Sequence, residues 1–409
     1  MLANMLSDEG TIRIPLKKEQ TGFLSQVYAD AVAADPDSWK DLTGETNLSQ
    51  TRTFDLNDPK QLQEAINLGQ LSDVQVREPL TNSQNLSYIG ELYIGSGTPQ
   101  KVRAIFDTGS ANPWILSLQG TKQMKEHQER HPFDPTLSPT YVEPKASDKK
   151  WVRISFGSGM IRGYFVEDQV LMGSPKDPQN QLVVPSWKFG LAVEQQVFNG
   201  KFDALIGMAY PQFAEDGVTP LFDALMQSNQ LAKNVHSWYM SYNPDEESEI
   251  LFGGWNPERF TGDIQWHPVL HKLFWAIKLD DVLVDGVSTG YCTRPGVNCL
   301  VCPDSGTSLA TFPQKAYDEF QAMYGDVISC EAGDELAFPN LTYRINGIDY
   351  HLPSHHWVTR KIDKSDKMGG KCGNIIKPLG VNQQGLEDLF ILGDVFMQLY
   401  YVIHCRDKD

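Results

Sequence analysis

Two short segments hold the residues whose types and spacing suit chemistry. AIFDTGS at 104–110 and VCPDSGTS at 301–308 each bring an aspartate to the end of an apolar run, then a hydroxyl, a glycine and a second hydroxyl. A glycine two residues after the aspartate permits a sharp turn and a close backbone approach that a side chain would block, so Gly109 and Gly306 shape the two turns. Thr108 and Ser110 in one copy, and Ser305 and Thr307 in the other, can hydrogen-bond a carboxylate or the facing loop. If the two turns meet, Asp107 and Asp304 cannot both ionise freely and share a proton, with pKa values that belong to the pair. One carboxylate then takes a proton from a water held between them while the other gives one to a carbonyl oxygen or a leaving amine. The chemistry is hydrolysis by activated water, with no covalent intermediate, no cofactor and no metal.

Two other clusters compete for attention. Cys299 and Cys302 form a C-x-x-C pair beside Asp304, but redox use expects a βαβ setting with the pair at a helix start, and zinc needs a second ligand pair. Both cysteines fall on an apparent strand instead. HLPSHH at 351–356 has histidines four apart, yet Pro353 between them opposes a helix and the glutamate of H-E-x-x-H is missing. These read as surface-loop histidines.

What must position the aspartates is visible in an internal echo. ALIGM at 204–208 follows the first motif and FILGD at 390–394 the second, so that Asp107 precedes Gly207 by 100 residues and Asp304 precedes Gly393 by 89. Two copies of one signal in the same order imply two similar β lobes, each presenting one aspartate. YIGELYIG, KVRAIFD, WVRISFGSG and YFVEDQVLMG alternate or run apolar over strand lengths between glycines. Residues 1 to about 77 differ: TIRIPLKK reads as a strand, and GFLSQVYADAVAA and PKQLQEAINLGQL as helices. A boundary is expected near Arg77 to Thr81.

Composition bounds the rest. A chain of 409 residues exceeds the ~250–300 at which one hydrophobic core stops growing. With 33 glycines, 24 prolines and short apolar runs it should be mainly β. A net charge of −17 argues against nucleic acid or an anionic membrane surface as partner. Every apolar stretch is too short for stable membrane insertion, and MLANMLSDEG lacks the basic and apolar regions of a signal peptide, so the chain is either cytosolic or lacks its true N-terminus. All six cysteines fall in the last third, which suggests local bridges in one lobe, with fifteen pairings open. Sequons at Asn47, Asn85 and Asn340 lean the same oxidising way.

From roughly Pro79 to His404 these residues resemble the pepsin-like aspartic proteases: both D-[TS]-G-[ST] motifs, both apolar-apolar-Gly partners, FDALIGMAYPQFAEDGVTPLFDAL at 202–225 and ILGDVFMQLYY at 391–401. ILGDVFM and the DSGTS form look similar to plasmepsin-like members. The resemblance implies a bilobal fold with the cleft between two pseudo-symmetric β lobes. Residues 1–77 would be an inhibitory pro-segment, 78–243 the lobe carrying Asp107 and a flap, and 244–409 the lobe carrying Asp304. It implies an aspartic endopeptidase, made as a zymogen and active in acid. Its partners would be a peptide or protein substrate and its own pro-segment, cleavage falling between apolar or aromatic residues. The protein would act as a monomer in the secretory pathway, extracellular or in an acidic vacuole. SFGSGMIRG at 155–163 looks like the flap, with Phe156, Gly157 and Ser158 over the substrate and Trp114 behind them. Ile105, Phe202 and Leu205 would line the pocket before the scissile bond and Phe274 would lie beyond it, although each is as well explained as ordinary core. By the same resemblance Cys292 pairs with Cys299 and Cys330 with Cys372, leaving Cys302 and Cys405 over.

The chain departs from the family pattern in several places. Phe156 stands where tyrosine is usual, and loses the hydroxyl that would bond toward Trp114. Pro113 precedes Trp114, and G-T-P-Q at 97–100 is one residue short; both suit surface turns. YVIHCRDKD ends a strand early for the family. Segment 1–77 holds seven Lys/Arg against twelve Asp/Glu, which favours a steric or lobe-separating lock over charge capping. A non-catalytic binding protein on the same fold is the alternative. Such a protein is expected to lose an aspartate, a motif glycine or an adjacent hydroxyl, and this chain keeps all of them.

Overall fold

The two aspartate-bearing strands are built alike. In this computed structural model, which describes residues 11–15 and 75–406 apart from 84–86, 123–129, 157–158, 178–179, 198–200, 244, 325–326, 331–337, 362–369, 375 and 380–385, Gln100–Asp107 runs parallel to Ala204–Gly207. The latter also pairs antiparallel with Trp114–Leu116. In the second half Leu300–Pro303 runs parallel to Leu389–Leu392, which pairs antiparallel with Ala310–Pro313. The apolar-apolar-Gly segments are therefore the central strands of two matching three-strand units. Each is buried at all four positions, as a strand covered on both faces must be. The fold is mainly β and bilobal, of the pepsin-like kind.

An antiparallel sheet joins the halves. Thr11–Pro15 lies between Ile264–His271 and Val402–Cys405. Beyond Val402–Cys405 come Val235–Tyr239, Ser248–Phe252 and Val76–Asn82. Val76–Asn82 alternates buried and exposed positions along most of its length, the period-2 pattern of a strand with one covered face. Aromatic residues fill the joint: Trp275 Nε1 donates to the Met208 carbonyl at 3.0 Å, and the Tyr210 amide to the Leu273 carbonyl at 3.3 Å.

Several expectations can be placed. The hairpin of Trp151–Phe156 and Gly159–Met172 is antiparallel, with Phe156 opposite Gly159. Pro113 is not at a surface turn: it is buried and leads directly into Trp114–Leu116. It fits because proline lacks only the N–H, while its carbonyl accepts from the Gly190 amide at 2.9 Å. Nor do His355 and His356 lie on a loop, since Pro353 caps the short helix Ser354–Trp357 that carries them; proline is tolerated there because the first N–H groups of a helix are unpaired anyway. The helices expected within 16–74, the sequons Asn47 and Asn85, and the side chain of Cys330 lie outside the described residues. Cys292 and Cys299 are bridged, with Cα atoms 5.5 Å apart. Cys372 is disulfide-bonded, and Cys302 and Cys405 are buried thiols.

Candidate active site

Each motif first holds its own carboxylate. The Gly109 amide donates to Asp107 Oδ1 at 2.9 Å and the Ser110 hydroxyl to Oδ2. The Gly306 amide donates to Asp304 Oδ1 at 2.8 Å and the Thr307 hydroxyl to Oδ2 at 2.7 Å. Four donors thus fix two carboxyl planes by the same pair of bonds.

The remaining hydroxyls are exchanged between the halves. The Thr108 amide donates to Ser305 Oγ at 3.1 Å, and the Ser305 amide to Thr108 Oγ1 at 3.0 Å. Thr108 Oγ1 continues to the Pro303 carbonyl at 3.1 Å, and Ser305 Oγ to the Phe106 carbonyl at 2.7 Å. All of these groups are buried, so each bond is worth more than its exposed counterpart and each missing partner would be costly. Neither loop is complete without the other.

The turns meet so closely that the motif glycines touch the opposite aspartate. A Cβ on Gly306 would lie 2.0 Å from Asp107 Oδ1, and one on Gly109 2.4 Å from Asp304 Oδ2. Burial, and then the charge of Asp304, push the Asp107 carboxyl up, the signature of acids too close to ionise together. Their environments are alike in bonding, and each carboxyl lies within reach of the other's charge. Asp394, the first residue of the short helix Asp394–Met397 that follows the second central strand, is buried beside them. Burial and the charges of Asp304 and Asp107 raise its carboxyl too.

With this geometry in place, the known proteins can be compared. A family profile described as eukaryotic aspartyl protease matches residues 87–409. The chain belongs to the eukaryotic aspartyl protease family. It is 34% identical over 350 residues to cathepsin E of Rattus norvegicus, covering 82% of each chain. It is 33% identical to cathepsin D of Gallus gallus over 347 residues, 81% of each. Gastricsin of Callithrix jacchus is 30% identical over 345 residues, 81% of this chain and 82% of the relative.

In this aspartyl protease the expected pocket residues of the first lobe come together. Ile105, Trp114, Phe202 and Leu205 share one apolar cluster, separate from the main core, against which Val152 and Ile154 of the hairpin pack. Phe274 stands apart and packs against Phe213, with ring centroids 4.4 Å apart and planes tilted by 49°. All five expected residues are buried. Gly157, Ser158 and the side chain of Phe156 lie outside the described residues. Trp114 is fully buried with its indole Nε1 lacking a hydrogen-bond partner among them. Asp394 was missed by sequence reasoning, although the two copies of the echo differ there, Met208 against Asp394. Cys302, on the strand into Asp304, is a buried thiol whose acidity burial and the Asp304 charge suppress, and its C-x-x-C neighbour Cys299 is bridged to Cys292 instead.

Proposed function

We propose that Asp107 and Asp304 are the catalytic pair of this aspartic endopeptidase. One, ionised, takes the proton of a water held between them; the other, protonated, donates to the carbonyl oxygen of the scissile peptide and then supports departure of the amine. The single observation that carries this reading is the reciprocal arrangement of the two D-[TS]-G-[ST] turns, each carboxylate held by its own loop and seated against the other's glycine. The hydroxyls and amides around them are fixed before substrate arrives, so the reaction meets a preorganised site.

The lobes extend over 78–243 and 244–409, and the hairpin at 155–163 closes on a bound peptide. Ile105, Phe202 and Leu205 receive the side chain before the scissile bond and Phe274 the one after it, giving preference for apolar or aromatic residues. Residues 1–77 act as a pro-segment, a reading supported by the pairing of Thr11–Pro15 into the sheet that joins the halves. Operation in acid rests on the family resemblance; burial and the Asp304 charge push the Asp107 carboxyl up to about 8, so the pair keeps its shared proton from acid through neutral pH. The working protein is a monomer of the secretory pathway. Hydrolysis of a peptide pool at pH 4.5 tests the pair: cleavage is expected from the native chain, and none from Asp107→Asn or in the presence of a statine-type inhibitor. Cleavage that survives the substitution removes the assignment; a processed, folded but inactive protein favours the non-catalytic binder.

A further inference from the structure

A pair of buried histidines lies in the joint between the lobes and takes no part in the hydrolytic site. His236 on Val235–Tyr239 and His404 on Val402–Cys405 are directly opposite in an antiparallel register. Their rings stack with centroids 4.6 Å apart and planes 19° from parallel, and both residues are fully buried. Trp238 Nε1 donates to His236 Nδ1 at 2.9 Å, which fixes the neutral tautomer with its proton on Nε2. That Nε2 and both ring nitrogens of His404 lack hydrogen-bond partners among the described residues.

The surroundings leave no route for a positive charge. Phe222 of the helix Leu221–Gln227, Phe252 of Ser248–Phe252 and Trp275 close on His236, and Trp275 also meets His404 at 4.8 Å. Among the described residues, the charged groups facing the pair are Arg406, beyond the end of the last strand, and Asp223, from the neighbouring helix. Arg406 lies 3.6 Å over the Tyr210 ring and is ion-paired to Asp223 at 2.8 Å. On the other side of Val402–Cys405 the strand Thr11–Pro15 brings Ile12 opposite His404. The one carboxylate among these groups is therefore already engaged, and the cation repels any second cation. Burial, and then Arg406, hold His404 down to about 3; burial, His404 and Arg406 lower His236 as well.

We propose that the stacked His236–His404 pair is an acid-release device: the joint takes up two protons as it opens, and so sets the low-pH limit of the folded protein separately from the catalytic pair. Both rings are neutral when packed and recover an ordinary pKa of about 6.5 when exposed. Between those values the open state binds more protons, so stability falls as pH drops below about 6.5 and continues to fall toward the packed value. Each ring raises the unfolding equilibrium constant up to about 10-fold per pH unit in that window, and the pair up to about 100-fold.

The proposal does not depend on the hydrolytic assignment, and its test reads stability rather than cleavage. Urea unfolding of the full chain is followed from pH 4 to 6, with Asp107→Asn in every arm to suppress self-digestion. His404→Phe removes a ring whose nitrogens bond nothing, and His236→Gln keeps an acceptor for the Trp238 indole. Each single variant is expected to lower the slope of the logarithm of the unfolding constant against pH by about one proton, and the double variant by about two. Should the double variant fail to fold, the singles and an NMR titration of the histidine ring carbons decide. Both buried rings are expected to stay neutral at pH 5. An unchanged slope, or either ring protonating above pH 6 in the folded protein, overturns the proposal.

Discussion

At the scale of single residues, the site is defined by what it leaves no room for. A methyl group on Gly306 would stand 2.0 Å from Asp107 Oδ1, so Gly306→Ala must drive the two loops apart. Displacements of this size cost about 10²-fold or more in rate. The expected result is a kcat lowered at least that far on a fluorogenic peptide while the thermal melt shows a folded protein; near-normal kcat would contradict the geometry. The raised Asp107 makes a second prediction, and its sign follows from proton counting. A carboxyl whose folded pKa lies above its unfolded value binds more protons when folded, so its stabilising contribution is present in acid and lost as pH rises through the folded value. Asp107→Asn, which cannot ionise, should therefore melt higher than the native chain at pH 7 and show no such gain at pH 3.5. Equal gains at both pH values would mean that ionisation is not the cause. The aspartates and glycines were legible in the sequence because the motif occurs twice. Which hydroxyl crosses between the loops was not, because Thr108 and Ser110, or Ser305 and Thr307, are chemically alike and only the turn's direction separates them.

At the scale of elements, the hairpin Trp151–Phe156/Gly159–Met172 and the strand Trp114–Leu116 share the fate of one hydrogen bond. Trp114 Nε1 is buried without a partner among the described residues, and the family resemblance implies that a tyrosine hydroxyl from the hairpin would be its acceptor. An unpaired buried donor costs roughly 1–3 kcal/mol. Phe156→Tyr is expected to satisfy it, stiffen the hairpin and change turnover or substrate preference, measured as kcat and KM on a peptide panel. If both are unchanged, the hairpin does not work as a flap over the site. Strand positions were readable here from alternation and glycine punctuation, and the central strands Ala204–Gly207 and Leu389–Leu392 from their unbroken apolar runs. Pro113 and Pro353 misled for a common reason: proline forbids a donor, not burial or a helix start, and both sit where no N–H was needed.

At the scale of the whole molecule, the sheet joining the lobes is also where the first part of the chain is attached. Thr11–Pro15 bonds to Ile264–His271 on one side and to Val402–Cys405 on the other, so it cannot leave without breaking two ladders. Acid should favour that departure, because carboxylates that pair in the native state lose those contacts on protonation. Incubation of the full chain at pH 4.5 is expected to give cleavage between about Ala65 and Asn85, read by mass spectrometry, with none at pH 7; no cleavage in acid would count against a pro-segment. Bilobal organisation was legible from the echo alone. The histidine pair was not, since His236 and His404 are 168 residues apart in sequence and only the register of two strands brings them face to face.

The exchange between Thr108 and Ser305 bears on the timing of catalysis. Its donors and acceptors are amides, hydroxyls and carbonyls, none of which titrates anywhere near the pH at which carboxylates do. On the proposed mechanism a proton passes from water to one aspartate and from the other to substrate, while none of the clamp's own groups changes its charge. The clamp therefore keeps its bonds whichever carboxyl holds the proton, and on the proposed mechanism what each turnover has to restore is the protonation of the pair above it.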